Sequence, residues 1–129
     1  MRFYTDSLSF TYSNIEAAMR WWIETFGCKV AKVPADWDNT LPSDVALKFP
    51  EDDEPTGLLS AQKEEVDEAT FDRPSPVVST IFCDNKLKKG QEVLSSRGIL
   101  VGPIQDGRDM QFLEIRDAEG HLIQVCKES

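Results

Sequence analysis

Ser7–Tyr12 alternates polar and apolar residues, with Leu8, Phe10 and Tyr12 on one face and Ser7, Ser9 and Thr11 on the other, as in a half-buried strand. The period then changes. Ile15, Ala18, Met19, Trp22 and Phe26 recur at helical spacing behind Asn14, a residue type that caps helix N-termini. Gly27 stands where a helix closes with a left-handed residue. Cys28–Val33, Asp44–Phe49 and Gly57–Gln62 read as three short strands, with a turn-rich loop, Pro34–Ser43, between the first two. Past Arg73-Pro74-Ser75-Pro76 the scheme restarts. A strand over Val77–Phe82 leads to a second cap candidate, Asp84, then to a helix carrying Leu87, Val93 and Leu94 that stops at Gly98. Strands over Ile99–Val101, Gln111–Arg116 and His121–Cys126 follow, the last two joined by the tight turn Asp117-Ala118-Glu119-Gly120.

The order βαβββ therefore occurs twice. Asn14 and Asp84 are 70 positions apart and Gly27 and Gly98 are 71 apart, the spacing of a duplicated supersecondary unit. The pattern predicts an α+β fold in a single domain: module one over about 1–62, a linker over about 63–75, and module two over about 76–129. Because the strands after each helix are short, one ferredoxin-like βαββαβ sandwich is the competing architecture.

Charge narrows the function. The chain of 129 residues carries a net −9, and nine acids against Lys63 alone fall between Glu51 and Asp72. Such a run is a solvated linker in the plain reading and a field for a cationic ligand in the sharper one. The acidity argues against nucleic acid and against anionic lipid, both of which need a basic face. No apolar run approaches the roughly 20 residues of a membrane span, and the opening Met1–Asp6 has no apolar stretch of signal-peptide length. Cys28, Cys83 and Cys126 are odd in number and lack a CxxC spacing, which points to reduced thiols in the cytoplasm. With His121 as the single histidine, sites that need two or three are excluded.

The order of these features resembles the vicinal oxygen chelate superfamily, the glyoxalase/bleomycin resistance/dioxygenase proteins. The resemblance is carried by Asn14, Trp21-Trp22 and Gly27, then by Asp84, Leu94, Gly98 and Val101-Gly102-Pro103. The strand and turn from Phe112 to His121 carry it furthest. It implies two βαβββ modules, each curled into an incomplete U-shaped barrel, usually paired further into a homodimer. In the enzymes of that superfamily a divalent metal sits on the concave face. Carried over one by one, its ligand positions fall on Ser7, on Ser60 or Ala61, on Val77 and on Gln124. Valine has no donor atom and serine and glutamine are neutral, so no metal, no cofactor and no catalytic residue is expected. His121 is expected to pack at a strand start, Cys126 to be a buried thiol, and Glu51-Asp52-Asp53-Glu54 lacks the spacing of a calcium loop.

Period-2 counting puts Ser7, Ser9 and Thr11, then Val77, Ser79 and Ile81, then Leu122, Gln124 and Cys126 on the cavity wall. Small hydroxyls and one amide among aliphatics suit a binding pocket better than acid–base chemistry. Trp37, between Asp36 and Asp38 in a loop, is either a stacking contact or local packing. Phe49, Met110 and Phe112 are candidates for a groove wall, and Glu114 for a contact to a ligand amine. The expected ligand-binding set is thus Ser7, Ser9, Trp37, Phe49, Ser79, Met110, Phe112, Glu114 and Gln124. The expected function is metal-free binding of a small, cationic or planar, antibiotic-like compound. The alternatives are a lyase, isomerase or dioxygenase with a non-standard site around Glu114 and Gln124, and a protein-interaction module with a vestigial cavity.

Overall fold

The computed structural model describes residues 1–38, 40–61 and 79–128. The strands are β1 (Phe3–Tyr4), β2 (Leu8–Tyr12), β3 (Lys29–Ala31), β4 (Val45–Lys48), β5 (Gly57–Ala61), β6 (Ser79–Cys83), β7 (Gln105–Asp106), β8 (Gln111–Arg116) and β9 (Leu122–Lys127). The helices are α1 (Ile15–Phe26) and α2 (Leu87–Ser96). No helix among the described residues is long and apolar enough to cross a membrane.

Two sheets form, ordered β2-β5-β4-β3 and β1-β6-β9-β8-β7. In each, the first strand of the module runs parallel to the last, and the middle strands return antiparallel. Two copies of one topology are what the βαβββ repeat predicts, and a single ferredoxin-like sheet is not what forms. The strand before the first module was not expected. β1 adds antiparallel to the edge of the second sheet, through Phe3 opposite Cys83 and Tyr4 opposite Phe82, so the N-terminus belongs to module two before the chain enters module one.

Local chemistry explains the first helix. Asn14 accepts from the Ala17 N–H, and Gly27 closes the helix at φ 73°, where a side chain would be strained. Ala18, Trp22 and Phe26 face inward onto Leu8, Phe10 and Tyr12 of β2 and onto Leu47, Phe49 and Leu59 in one buried cluster. In the second module Leu87 and Leu94 of α2 join Ile81, Leu113, Ile115, Ile123 and Val125 of the second sheet in that cluster.

Three sequence expectations are corrected here. Asp84 does not cap α2: its Oδ1 accepts from the Arg2 N–H, while the helix starts behind Lys86 without a side-chain cap. Ile99–Val101 is not a strand, although Ile99 and Val101 pack partly against the core; the pairing strand comes later, as β7. Phe49 is not a groove wall, because it is 1% exposed and its ring packs against Trp22 and Phe26. Val77 and the 63–75 linker lie outside the described residues.

The β8–β9 turn clasps module one. Asp117, buried, accepts from the Tyr12 hydroxyl at 2.5 Å and from the Glu119 and His121 N–H groups at 3.0 and 2.8 Å. Its Oδ2 also lies 2.9 Å from His121 Nδ1, so the imidazole proton sits on that nitrogen. The His121 ring lies 5.1 Å from Phe10 and 5.0 Å from Tyr12, the packing role expected of it. Glu119 reaches further, accepting from the Ser13 N–H and hydroxyl and from the Asn14 N–H, all at 2.9 Å, at the positive end of α1. The Ser13 and Asn14 N–H groups hold its carboxyl below the usual carboxylate range. A lowered folded-state pKa means stabilisation that is present above the unfolded value and lost as pH falls through the folded one. Glu119→Ala should therefore be less stable than the parent at about pH 7, with the difference vanishing near about pH 2. Urea titrations at the two pH values measure it, and a difference that persists in acid would overturn the assignment.

Candidate functional site

The chain changes sheets at Thr5–Ser7. Tyr4 is the last residue of β1 in the second sheet, and Leu8 is the first of β2 in the first. Thr5 Oγ1 donates to the Thr80 carbonyl at 2.8 Å and the Leu8 N–H to Thr56 O at 3.1 Å, which fixes the bend to both sheets. Asp6 and Ser7 therefore sit at the seam, exposed.

Clefts open on both sides of that seam. One of 440 Å³ is lined by Ser7, Ser9 and Leu58 of the first sheet and its approach, by Trp37, Asp38 and Thr40 of the loop, and by Asp6 and Thr56. A second, of 480 Å³, runs from Ser7 and Ser9 to Thr80 and Phe82 of β6. A third, of 530 Å³, lies among Arg2, Tyr4, Asp53 and Glu54, and a small one of 230 Å³ among Tyr4, Phe82 and Glu128. Asp6 lines all four.

The electrostatics are one-sided. Arg2, the cation of this region, is already engaged: its guanidinium lies 2.5 Å from Asp52, 3.9 Å from Glu51 and 4.8 Å from the Tyr4 ring centroid. Tyr4 donates to the Glu128 carboxylate, and that hydrogen bond pushes its phenol up to about 12, so it stays neutral. Asp6, Asp38, Asp53 and Glu54 have no side-chain hydrogen bond or ion pair among the described residues. Unpaired carboxylates around a cleft raise the local concentration of cations.

All but one, Met110, of the nine expected ligand-binding residues divide into three groups. Ser7, Ser9 and Trp37 come together in the first cleft, and Trp37 stands outside the aromatic cluster that Trp21 and Trp22 join. Phe112, Glu114 and Gln124 line none of the four clefts but share the open face of the second sheet, where Gln124 is opposite Thr80 of the second cleft. There Phe112 is opposite Gln105 and Cys126, Glu114 is opposite Gln124, and Glu114 Oε1 accepts from Gln105 Nε2 at 3.1 Å. Phe49 and Ser79 are in the third group, turned to the core, and Met110 is exposed beside the β7–β8 turn. For Ser79 the parity is corrected: it is 7% exposed on the side of Ile81 and Cys83, so its neighbours Thr80 and Phe82 hold the open face, and Ser79 only edges the second cleft. A run of β-branched and apolar residues has no alternation to set that parity.

Sequence reasoning missed Asp6, Thr80 and Phe82. A lone acid directly before an alternating strand was the signal available for Asp6; nothing in the sequence showed that it would lie where two sheets meet.

At the positions that the family resemblance assigns to a metal, the donors do not fit a divalent ion. Ser7 offers a hydroxyl and Gln124 an amide, Ser60 or Ala61 adds at most a second hydroxyl, and the fifth-strand position lies outside the described residues. Among the described residues no three His, Cys, Asp or Glu side chains are grouped to hold a metal. Cys28, Cys83 and Cys126 are free and buried, and burial raises all three thiols, Cys28 to about 12, which leaves them protonated and poor nucleophiles.

Two βαβββ modules with open sheets and a cleft at their seam define the vicinal oxygen chelate class of fold. Solved structures agree at full length. A glyoxylase/bleomycin resistance protein/dioxygenase domain from Frankia sp. EAN1pec superposes with a TM-score of 0.65 at 19% identity, over 97% of this chain and 91% of that one. An integron cassette protein from the mobile metagenome of V. cholerae gives 0.65 at 17%, over 98% and 95%. Fosfomycin resistance protein FosX from Mesorhizobium loti gives 0.59 at 10%, over 95% and 90%. No family model matches the chain, and no curated protein matches it by sequence. The chain has the fold of the glyoxalase/bleomycin resistance/dioxygenase superfamily.

Proposed function

We propose that this chain is a metal-free binding protein that takes a small, planar, cationic organic compound into the cleft beside Trp37, sequestering it without chemical change. The observation that carries this reading is the cleft itself, whose lining brings together the half-buried Trp37, the serines Ser7 and Ser9, Leu58, and the carboxylates of Asp6 and Asp38. An apolar wall with a few orienting polar groups is the composition of a ligand pocket, and an indole face binds planar cations by stacking and cation–π attraction. Neutral donors at the metal positions and protonated thiols support binding without catalysis. The reduced thiols suit a cytoplasmic protein, and the resemblance to small family members supports a homodimer. Two of the structural neighbours carry antibiotic resistance in their names, which supports an antibiotic-like ligand.

The test is titration of 9-aminoacridine, a planar monocation, against the full chain, followed by fluorescence with and without a metal chelator. Saturable micromolar binding is expected, unaffected by chelator, with the dye recovered unaltered; acridine-9-carboxylate should bind far more weakly. Trp37→Ala should weaken 9-aminoacridine binding about tenfold, the magnitude of a partly desolvated cation–π contact. Binding lost on chelation, or no binding of any cationic dye, would sink the reading.

A further inference from the structure

We infer that Asp6 is the charge-selecting residue of this cleft: it receives a second cationic centre, a protonated amine on an elongated ligand whose planar part lies against Trp37. This rests on the cleft reading above and deepens it. Three observations carry it. Four adjoining clefts, from the one beside Trp37 to the one between Tyr4 and Glu128, share Asp6 in their lining. A group reaching from a ring seated beside Trp37 into any of the adjoining clefts therefore enters a lining that includes this carboxylate. Asp6 is exposed and has no hydrogen-bond or ion-pair partner among the described residues, whereas its neighbours Asp52 and Glu128 are already engaged by Arg2 and Tyr4. Its place is fixed by the backbone, since Thr5 is hydrogen-bonded to β6 and Leu8 to the Thr56 carbonyl. A charge held on a rigid bend recognises its partner with little ordering cost.

The chemistry that fits is an aryl ring joined by a short chain to an ammonium group. An anionic tail would meet Asp6 as well as Asp38, Asp53 and Glu54, and would be rejected.

Three probes on one ring decide it: 9-aminoacridine, its derivative with a short aminoalkyl tail on the exocyclic nitrogen, and the derivative with a hydroxyalkyl tail of equal length. On the parent chain the aminoalkyl compound should bind about tenfold tighter than the hydroxyalkyl compound, with the gap closing as salt rises. Asp6→Asn removes a charge that has no fold partner among the described residues, so it should leave thermal stability unchanged, weaken 9-aminoacridine no more than it weakens the hydroxyalkyl compound, and erase the tenfold gap. Equal affinities for the two tailed compounds on the parent chain, or a gap that survives Asp6→Asn, overturns the role of Asp6 while the binding reading stands. Failure of all three probes to bind overturns that reading and this inference with it.

Discussion

Asp117→Ala is expected to lower the unfolding free energy by about 3–5 kcal/mol, a large share of the roughly 5–15 kcal/mol that holds an ordinary domain together. The carboxylate is buried and accepts from the Tyr12 hydroxyl, two backbone N–H groups and the His121 ring. Hydrogen bonds to a charged group each contribute about 1.5–3 kcal/mol, and truncation leaves Tyr12 and His121 without the acceptor they face. The damage is also topological, since these bonds join the last hairpin of module two to the first strand of module one. Urea unfolding measures the loss, and Tyr12→Phe completes a double-mutant cycle. Coupling between the two substitutions is expected to exceed about 1 kcal/mol, because Tyr12 and Asp117 share one hydrogen bond. A single-mutant loss under about 1 kcal/mol would show that the clasp is peripheral.

The second large effect belongs to Trp22. Trp22→Ala should cost about 3–5 kcal/mol, the range for truncating a buried aromatic residue. The side chain is fully buried, with Phe10, Phe26 and Phe49 rings 5.5–6.2 Å away. Its indole N–H donates to the Tyr12 hydroxyl at 2.9 Å, so Trp22 also orients the oxygen that serves Asp117. Trp22→Phe separates the two contributions: it keeps most of the ring and removes the donor, for an expected loss of about 1–2 kcal/mol. Should the alanine variant fail to fold, the phenylalanine variant still reports. A phenylalanine variant as stable as the parent would show that the indole hydrogen bond contributes nothing.

Much of module one was legible because its signals are local. Alternation in Ser7–Tyr12 put Leu8, Phe10 and Tyr12 inside, and Asn14 and Gly27 bounded α1 with the cap and the positive φ their chemistry favours. In module two Gln111–Arg116 and the Asp117–Gly120 turn were legible for the same reason. Asp84 misled because a cap is a competition: the Arg2 N–H, 82 positions away, took its carboxylate, and the helix began later. Phe49 and Ser79 misled for a different reason. Phe49 follows a short strand and is drawn in by Trp22 and Phe26, and Ser79 lies in a run whose apolar residues suit either face.

The candidate site was legible only in parts. Ser7, Ser9 and Trp37 were named from a strand pattern and from an aromatic residue in a polar loop, and those three meet in one cleft. Gln124 was named by the same counting, Phe112 as an aromatic residue and Glu114 as an acid for a ligand amine; all three lie on the other sheet, because parity assigns a face within a strand and says nothing of which cleft that face lines. The chain's own order and periodicity determined the duplicated βαβββ plan and the caps of α1, properties of neighbouring residues, while the neutral donors at the metal positions follow only from the family resemblance. Tertiary structure alone decided that β1 joins the second sheet, that Asp6 falls at the seam of four cavities, and that Asp117 closes the clasp. Each of these depends on groups from strands remote in sequence, brought together by burial of a shared core rather than by any local preference.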